Sequence, residues 1–214
     1  MANERTLKQK LNKSKILEAT VQLLKEKGVE KVTVRNVCAK AGIAVGTFYY
    51  YFQNKDDLMF CFVSEGFYDA DLRSSENNIT CRIIELYMTL INHYRELGLP
   101  FMKSFYSNNN LALSAYMTET DGKFQTNSIL AKSEEEIEKA SKMGLIVEGT
   151  DLHMVCKDLC TIIKGSVFEW CLCNGSMDIG TVVSRIITRY LDGYLVKNDD
   201  SSILASLSIN LAFE

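Results

Sequence analysis

Between Thr33 and Lys55 the chain spaces hydroxyl, guanidinium and ammonium groups as a polyanion would require. Thr33, Arg35, Tyr49 and Lys55 can each donate a hydrogen bond to a phosphate oxygen, which fixes register but reads no sequence. Ala44, Val45, Thr47 and Tyr50 fall on one stretch of seven residues, Ala44 to Tyr50. There Val45 and the Thr47 methyl suit a thymine methyl, and the Thr47 and Tyr50 hydroxyls suit a base edge or a phosphate. No Arg or Lys lies in that stretch, so the bidentate reading of guanine is absent and selectivity must lean on apolar contact and shape.

The elements that would position these groups can be read from local signals. Thr33 caps a helix through Val34, Val37, Cys38 and Ala39, with Asn36 where a capping box prefers a carboxylate. Gly42 tolerates the left-handed backbone that ends a helix, and Ile43 folds back onto the face just finished. A second helix over 44–50 directs Phe48 inward; so short an element is not stable alone. Asn54 then caps a third helix, with Asp57 as its reciprocal partner. Lys55 lies in that helix's first turn, against the dipole, a placement that makes sense beside an anion. Helix, glycine turn and second helix form a helix-turn-helix, whose second member enters the major groove.

Gly42-Ile43, Gly46-Thr47-Phe48-Tyr49, Tyr51-Phe52 and Lys55 to Leu58 closely resemble the amino-terminal motif of the tetracycline-repressor (TetR) family of bacterial transcription regulators. The resemblance covers residues 12–60, and beyond them extends only to an all-helical plan. It points to Tyr49 and Lys55 as phosphate anchors, to a dimer, and to release from DNA by a small molecule bound in the body. One departure is Ala44, where the family places serine or threonine; the loss of such a cap costs about 0.5–2 kcal/mol.

Composition supports a folded helical chain. Of 214 residues 47% are hydrophobic and one is proline, so little interrupts helices. No apolar run is long enough to span a membrane and the charged start lacks a signal-peptide core, so a cytoplasmic protein with no membrane partner is expected. Seven scattered cysteines fit reduced side chains better than a disulfide framework. The net charge of -3 divides unevenly: residues 1–58 hold 11 Lys and Arg against 6 Asp and Glu, and residues 59–214 hold 13 against 21. A basic head on an acidic body lets the head alone meet phosphates.

The predicted architecture is all-α. A frayed start through Lys10 leads into a bracing helix from Asn12 to Lys27, then the reading pair, completing a helix-turn-helix head over 1–58. A helix over 55–73 connects to a ligand-binding and dimerisation body over 74–214. Body helices are predicted at 79–97, 101–106, 111–117, 124–143, 151–173 and 178–194, followed by a tail. The acidic run Glu134-Glu135-Glu136 with Glu138 reads as a solvated face. Tyr87, Tyr94, Phe101, Phe105, Tyr116, Phe168 and Trp170 are candidates to line a cavity for a small hydrophobic or aromatic ligand. The last two long helices carry apolar residues wider than one stripe, which predicts a homodimer through Leu159, Ile163, Val183, Ile186, Ile187 and Tyr190.

The leading expectation is a repressor of an inverted-repeat operator on double-stranded DNA, released by an apolar ligand, with no cofactor and no resident metal. It is not expected to be an enzyme: no glycine-rich phosphate loop, paired helical histidines or nucleophile elbow occurs. Alternatives are an architectural or protein-interaction adaptor on the same fold, a thiol- or metal-responsive regulator using Cys156, Cys160, Cys171 and Cys173, or a small-molecule carrier.

Overall fold

A computed structural model describes residues 2–64, 72–106, 122–124 and 128–197. The predicted helix at 111–117, Tyr116, residues 65–71 of the connecting helix and the tail beyond Lys197 lie outside the described residues. Within them the chain is all-helical, as expected.

Helix α1, Ala2–Lys27, begins well before Asn12. The start is helical rather than frayed because Leu7, Lys8, Gln9 and Lys10 favour helix and no glycine or proline intervenes. Ile16, Ala19, Thr20 and Leu23 are buried along its inner stripe. Gly28, at φ 77°, ends it and leads through a 3-10 turn, Val29–Lys31, into α2, Val34–Ala41. Lys40 of α2 donates to Glu26 of α1 at 2.6 Å, a surface pair that fastens the two helices. Helix α3, Val45–Tyr51, and α4, Lys55–Ser64, follow.

The passage from α4 into the body is held by side chains of α5, Ile79–Leu97. The Arg73 and Ser74 backbone N–H groups donate to Glu85 Oε2 at 3.0 and 3.2 Å, and the Ser74 hydroxyl donates to Oε1 at 2.7 Å. Arg82 adds a bond from its guanidinium to the Ser74 carbonyl at 2.8 Å. Led by the Ser74 hydroxyl, these donors hold the Glu85 carboxyl below the usual range, so it remains an acceptor.

Gly98 both ends α5 and opens α6, Leu99–Phe105, with Pro100 in its first turn, where a missing N–H is harmless. The next helix, α7, runs Ile129–Lys142 rather than from Phe124, because Ser128 caps it by accepting the Ala131 N–H. Asp151 and Asp178 cap α8, Leu152–Leu172, and α9, Ile179–Leu191. Helix α5 packs on α7 and α9, α8 packs on the same two, and α6 rests on α8. Helix α9 stops short of Tyr194 because the chain turns to pair with the α7–α8 connection: the Val147 N–H donates to Tyr194 O at 2.9 Å and the Val196 N–H to Leu145 O at 3.0 Å.

The acidic run is only partly solvated. Glu136 is buried and accepts from Arg82 Nε at 2.6 Å and from Lys139 Nζ at 2.7 Å. Burial opposes its ionisation, but the Arg82 and Lys139 bonds outweigh burial and hold its pKa below the ordinary value. A depressed carboxylate contributes stability above its unfolded-state pKa and loses it as pH falls through the folded-state value. Replacing Glu136 by Leu should leave Arg82 buried without its carboxylate and destabilise the fold by about 3–5 kcal/mol at pH 7. In urea melts the difference from the unaltered protein should shrink as pH falls below the ordinary carboxylate range; a pH-independent difference would contradict this account.

Candidate nucleic-acid interface

Four short-range devices build the surface. Thr33 Oγ1 accepts the Asn36 N–H at 3.2 Å, while the Asn36 amide donates to Lys31 O at 2.8 Å, so Asn36 serves the cap without closing a box. Gly42 takes φ 65°, ψ 38°, a left-handed conformation that costs a side-chain-bearing residue dearly. The Ile43 N–H then reaches Cys38 O at 3.1 Å, closing the turn. At α4, Asn54 Oδ1 accepts the Asp57 N–H at 2.8 Å, and Asp57 returns to the Gln53 N–H at 2.9 Å. The reciprocal cap therefore closes one residue earlier than the sequence suggests.

Helix α3 is seven residues long and hangs on Phe48, which is 0% exposed and lies 5.5 Å from the buried Phe52 ring. With Val32, Val37 and Ile16 also at 0%, Phe48 completes the small core beneath α1 and α2. Tyr51 packs part-buried against the core, while Val45 is 47% exposed, Tyr49 55% and Tyr50 64%. Ala44 opens the helix with no side-chain cap. Thr33, Arg35 and Ala44 are exposed, and Thr47 and Lys55 half-exposed. All eight residues singled out for nucleic acid are thus accessible, around α3 or at the first turns of α2 and α4. Gly46 is exposed within α3, and a Cβ there would meet nothing within 4 Å. Internal packing gives no reason for glycine at a position where it weakens a helix by about 1 kcal/mol.

In the body, Tyr87, Tyr94, Phe101, Phe105 and Trp170 are buried together. Phe168, assigned to the same cavity, is 48% exposed on the opposite face of α8, because it is two residues from Trp170 and a helix turns about 200° over that interval. The dimer set needs a similar correction. Leu159, Ile163, Val183 and Ile187 are buried within one copy; only Ile186 and Tyr190 remain partly accessible. Tyr190 donates to Asp158 Oδ2 at 2.7 Å, and burial, Tyr194 and Asp158 push its phenol pKa up. Besides Glu169, what α8 leaves to solvent is Met154, Thr161, Gly165, Phe168 and Leu172. Their spacing of seven, four, three and four residues is a legible signal, hidden in the sequence by the stronger inner stripe beside it.

Cys156, Cys160 and Cys171 sit in surroundings that hinder thiolate formation. Burial, then Glu134 and Glu138, pushes Cys156 up to about 12, and burial raises Cys160 and Cys171 as well. Such thiols are poor nucleophiles and poor sensors. Among the described residues no group of three or more His, Cys, Asp and Glu side chains converges, and no helix is long and apolar enough to cross a membrane.

The family model described as bacterial regulatory proteins, tetR family, matches residues 16–60, the same helices that carry this surface. Over these residues the chain is similar to the tetR family. Its reading helices resemble those of the uncharacterized HTH-type transcriptional regulator YvdT of Bacillus subtilis (strain 168), at 44% identity over 45 residues, 21% of this chain and 23% of that one. The match to the fatty acid metabolism regulator protein of the same organism is 22% identical over 203 aligned positions, 87% of this chain and 98% of the relative. Among solved structures, Thermus thermophilus FadR, a TetR-family repressor in complex with lauroyl-CoA, superposes with TM-score 0.60 at 16% identity, covering 87% and 96% of the two chains. At that identity the likeness is one of fold. Phe48→Ala should cost about 3–5 kcal/mol and be read as early loss of helical signal on heating, whatever DNA is present.

Proposed function

We propose that this chain is a dimeric transcriptional repressor that reads an inverted repeat and is released by a small apolar ligand. The observation that carries the reading is the division of α3: Phe48 is fully buried and Tyr51 packs part-buried against the core, whereas Val45, Tyr49 and Tyr50 are turned to solvent. A helix with so little of its own stability gains by lying in a groove. Residues 1–58 act as the reading head, and residues 74–214 as the ligand-binding and dimerisation body. Val45, Thr47 and Tyr50 face base edges beside Ala44, whereas Thr33, Arg35, Tyr49 and Lys55 hold phosphates. The bare backbone at Gly46 leaves room for close approach of the sugar-phosphate chain.

Dimerisation uses the outer stripe of α8, around Met154, Phe168 and Leu172, with Ile186 and Tyr190 of α9 at its margin. Gly165 in that stripe lets a facing helix come close. Two heads related by a twofold axis read half-sites about 34–36 Å apart. Tyr87, Tyr94, Phe101, Phe105 and Trp170 supply an apolar, aromatic interior for the effector. The fatty acid metabolism relative and the lauroyl-CoA complex support an effector that is largely hydrocarbon.

Gel-shift titration against the DNA flanking its own coding region should give saturable protection of an inverted repeat by the unaltered protein. Lys55→Ala should weaken binding to all sequences about equally and lower the salt slope by roughly one; an unchanged slope removes Lys55 from the phosphate contacts. Phe168→Glu with Leu172→Glu should reduce the sedimentation mass to one chain and abolish operator protection. A single-chain mass for the unaltered protein would defeat the dimeric reading.

A further inference from the structure

We propose that the cleft where α1 meets α6 is a second effector site, for a compact uncharged apolar molecule that acts as a wedge between head and body. The inference rests on the DNA-binding reading for its consequence, but not for the site itself. The cavity measures about 330 Å³, near the lower end of the range that holds drug-sized ligands. Its apolar wall comes from separate parts of the chain: Val21 and Leu24 of α1, Val29 of the 3-10 turn, Phe62 of α4, Leu97 of α5 and Phe101 of α6. Phe62 and Phe101 meet edge to face, 6.2 Å apart at 80°, and both are buried, so the aromatic contact between α4 and α6 lies directly under the opening.

Charge at the cleft sets the ligand class. Lys25 and Glu96 border the cavity, and a more open cleft of about 530 Å³ that shares Val29 and Pro100 with it is bordered by Glu30 and Lys103. Each opening thus carries one cation and one anion, a rim that gives no net attraction to a charged ligand and leaves apolar burial as the driving force. Only Phe101 is shared with the aromatic set inside the body, so the two sites are distinct in residues.

Position gives the cleft its effect. The 3-10 turn packs on α6, while α4 packs on both α5 and α6; the cleft lies within this joint. A molecule seated there touches α1, α4 and α6 at once. Its affinity must therefore differ between head orientations, and by reciprocity it must bias the separation of the two heads.

The test uses the full-length protein and N-phenyl-1-naphthylamine, an uncharged apolar fluorophore, with 8-anilinonaphthalene-1-sulfonate as the same skeleton bearing a negative charge. Leu24→Trp and Val21→Phe each fill the cavity from α1, and Val147→Ala changes an exposed residue that lines neither cleft. Saturable enhancement of the uncharged dye is expected, weakened at least about tenfold by whichever filling variant keeps the parent's helical signal and left within twofold by Val147→Ala. The sulfonated dye should bind more weakly than the uncharged one. Absence of saturable binding, binding by the filling variants equal to the parent's, an equal loss in Val147→Ala, or preference for the sulfonate would each overturn the site. With an operator fragment, the uncharged dye should shift the DNA titration of the parent and not that of the filling variant; dye binding with an unmoved titration overturns the wedge. Failure to bind any DNA without dye would count against the repressor reading alone, since the fluorescence result judges the cleft by itself.

Discussion

Burial of a single ring, Phe48, decides whether this protein has a surface to present. The helix that carries it is too short to persist by its own hydrogen bonds, and its amino end lacks a capping side chain. Its geometry is set by the core beneath α1 and α2 and by the left-handed turn at Gly42. Because the anchor is internal, Val45, Tyr49 and Tyr50 are free to be selected for what they touch outside. Stability and recognition are divided between neighbouring residues of one turn.

The same economy operates at the passage into the body. Glu85 and Arg82 grip the backbone at Arg73 and Ser74, and Arg82 continues to Glu136 on α7. A displacement of α7 relative to α5 is therefore felt at the segment that leads back toward α4. Charge-assisted bonds hold their geometry more strictly than apolar contact does, which suits a connection that must transmit position rather than merely adhere.

Much of this was legible in the sequence because it is local. Thr33 and Asn54 cap the helices they were expected to cap, and Gly28, Gly42 and Gly98 end the helices before them, since each signal acts within a turn of its own position. The exposure of Val45, Tyr49 and Tyr50 was legible for the same reason: the pattern of buried and exposed residues on α3 is fixed once Phe48 is placed. Where a partner lies far along the chain, legibility ends. Glu136 looked solvated among its acidic neighbours because Arg82, 54 residues away, is invisible to any local pattern. On α8 the width of the apolar pattern was clear, but periodicity alone does not tell which stripe faces α6, α7 and α9 and which faces outward. Leu159 and Ile163 were consequently assigned to the outer surface, and Phe168 to the inner one.

The buried Arg82–Glu136 pair also constrains how this lineage can drift. Either residue changed alone strands its partner's charge in a low-dielectric interior, a step that selection removes, whereas replacing both with hydrocarbon of similar volume is nearly neutral. The two positions are therefore tied in descent: among divergent relatives they should be kept or exchanged as a couple, and half-changed ancestors should be rare.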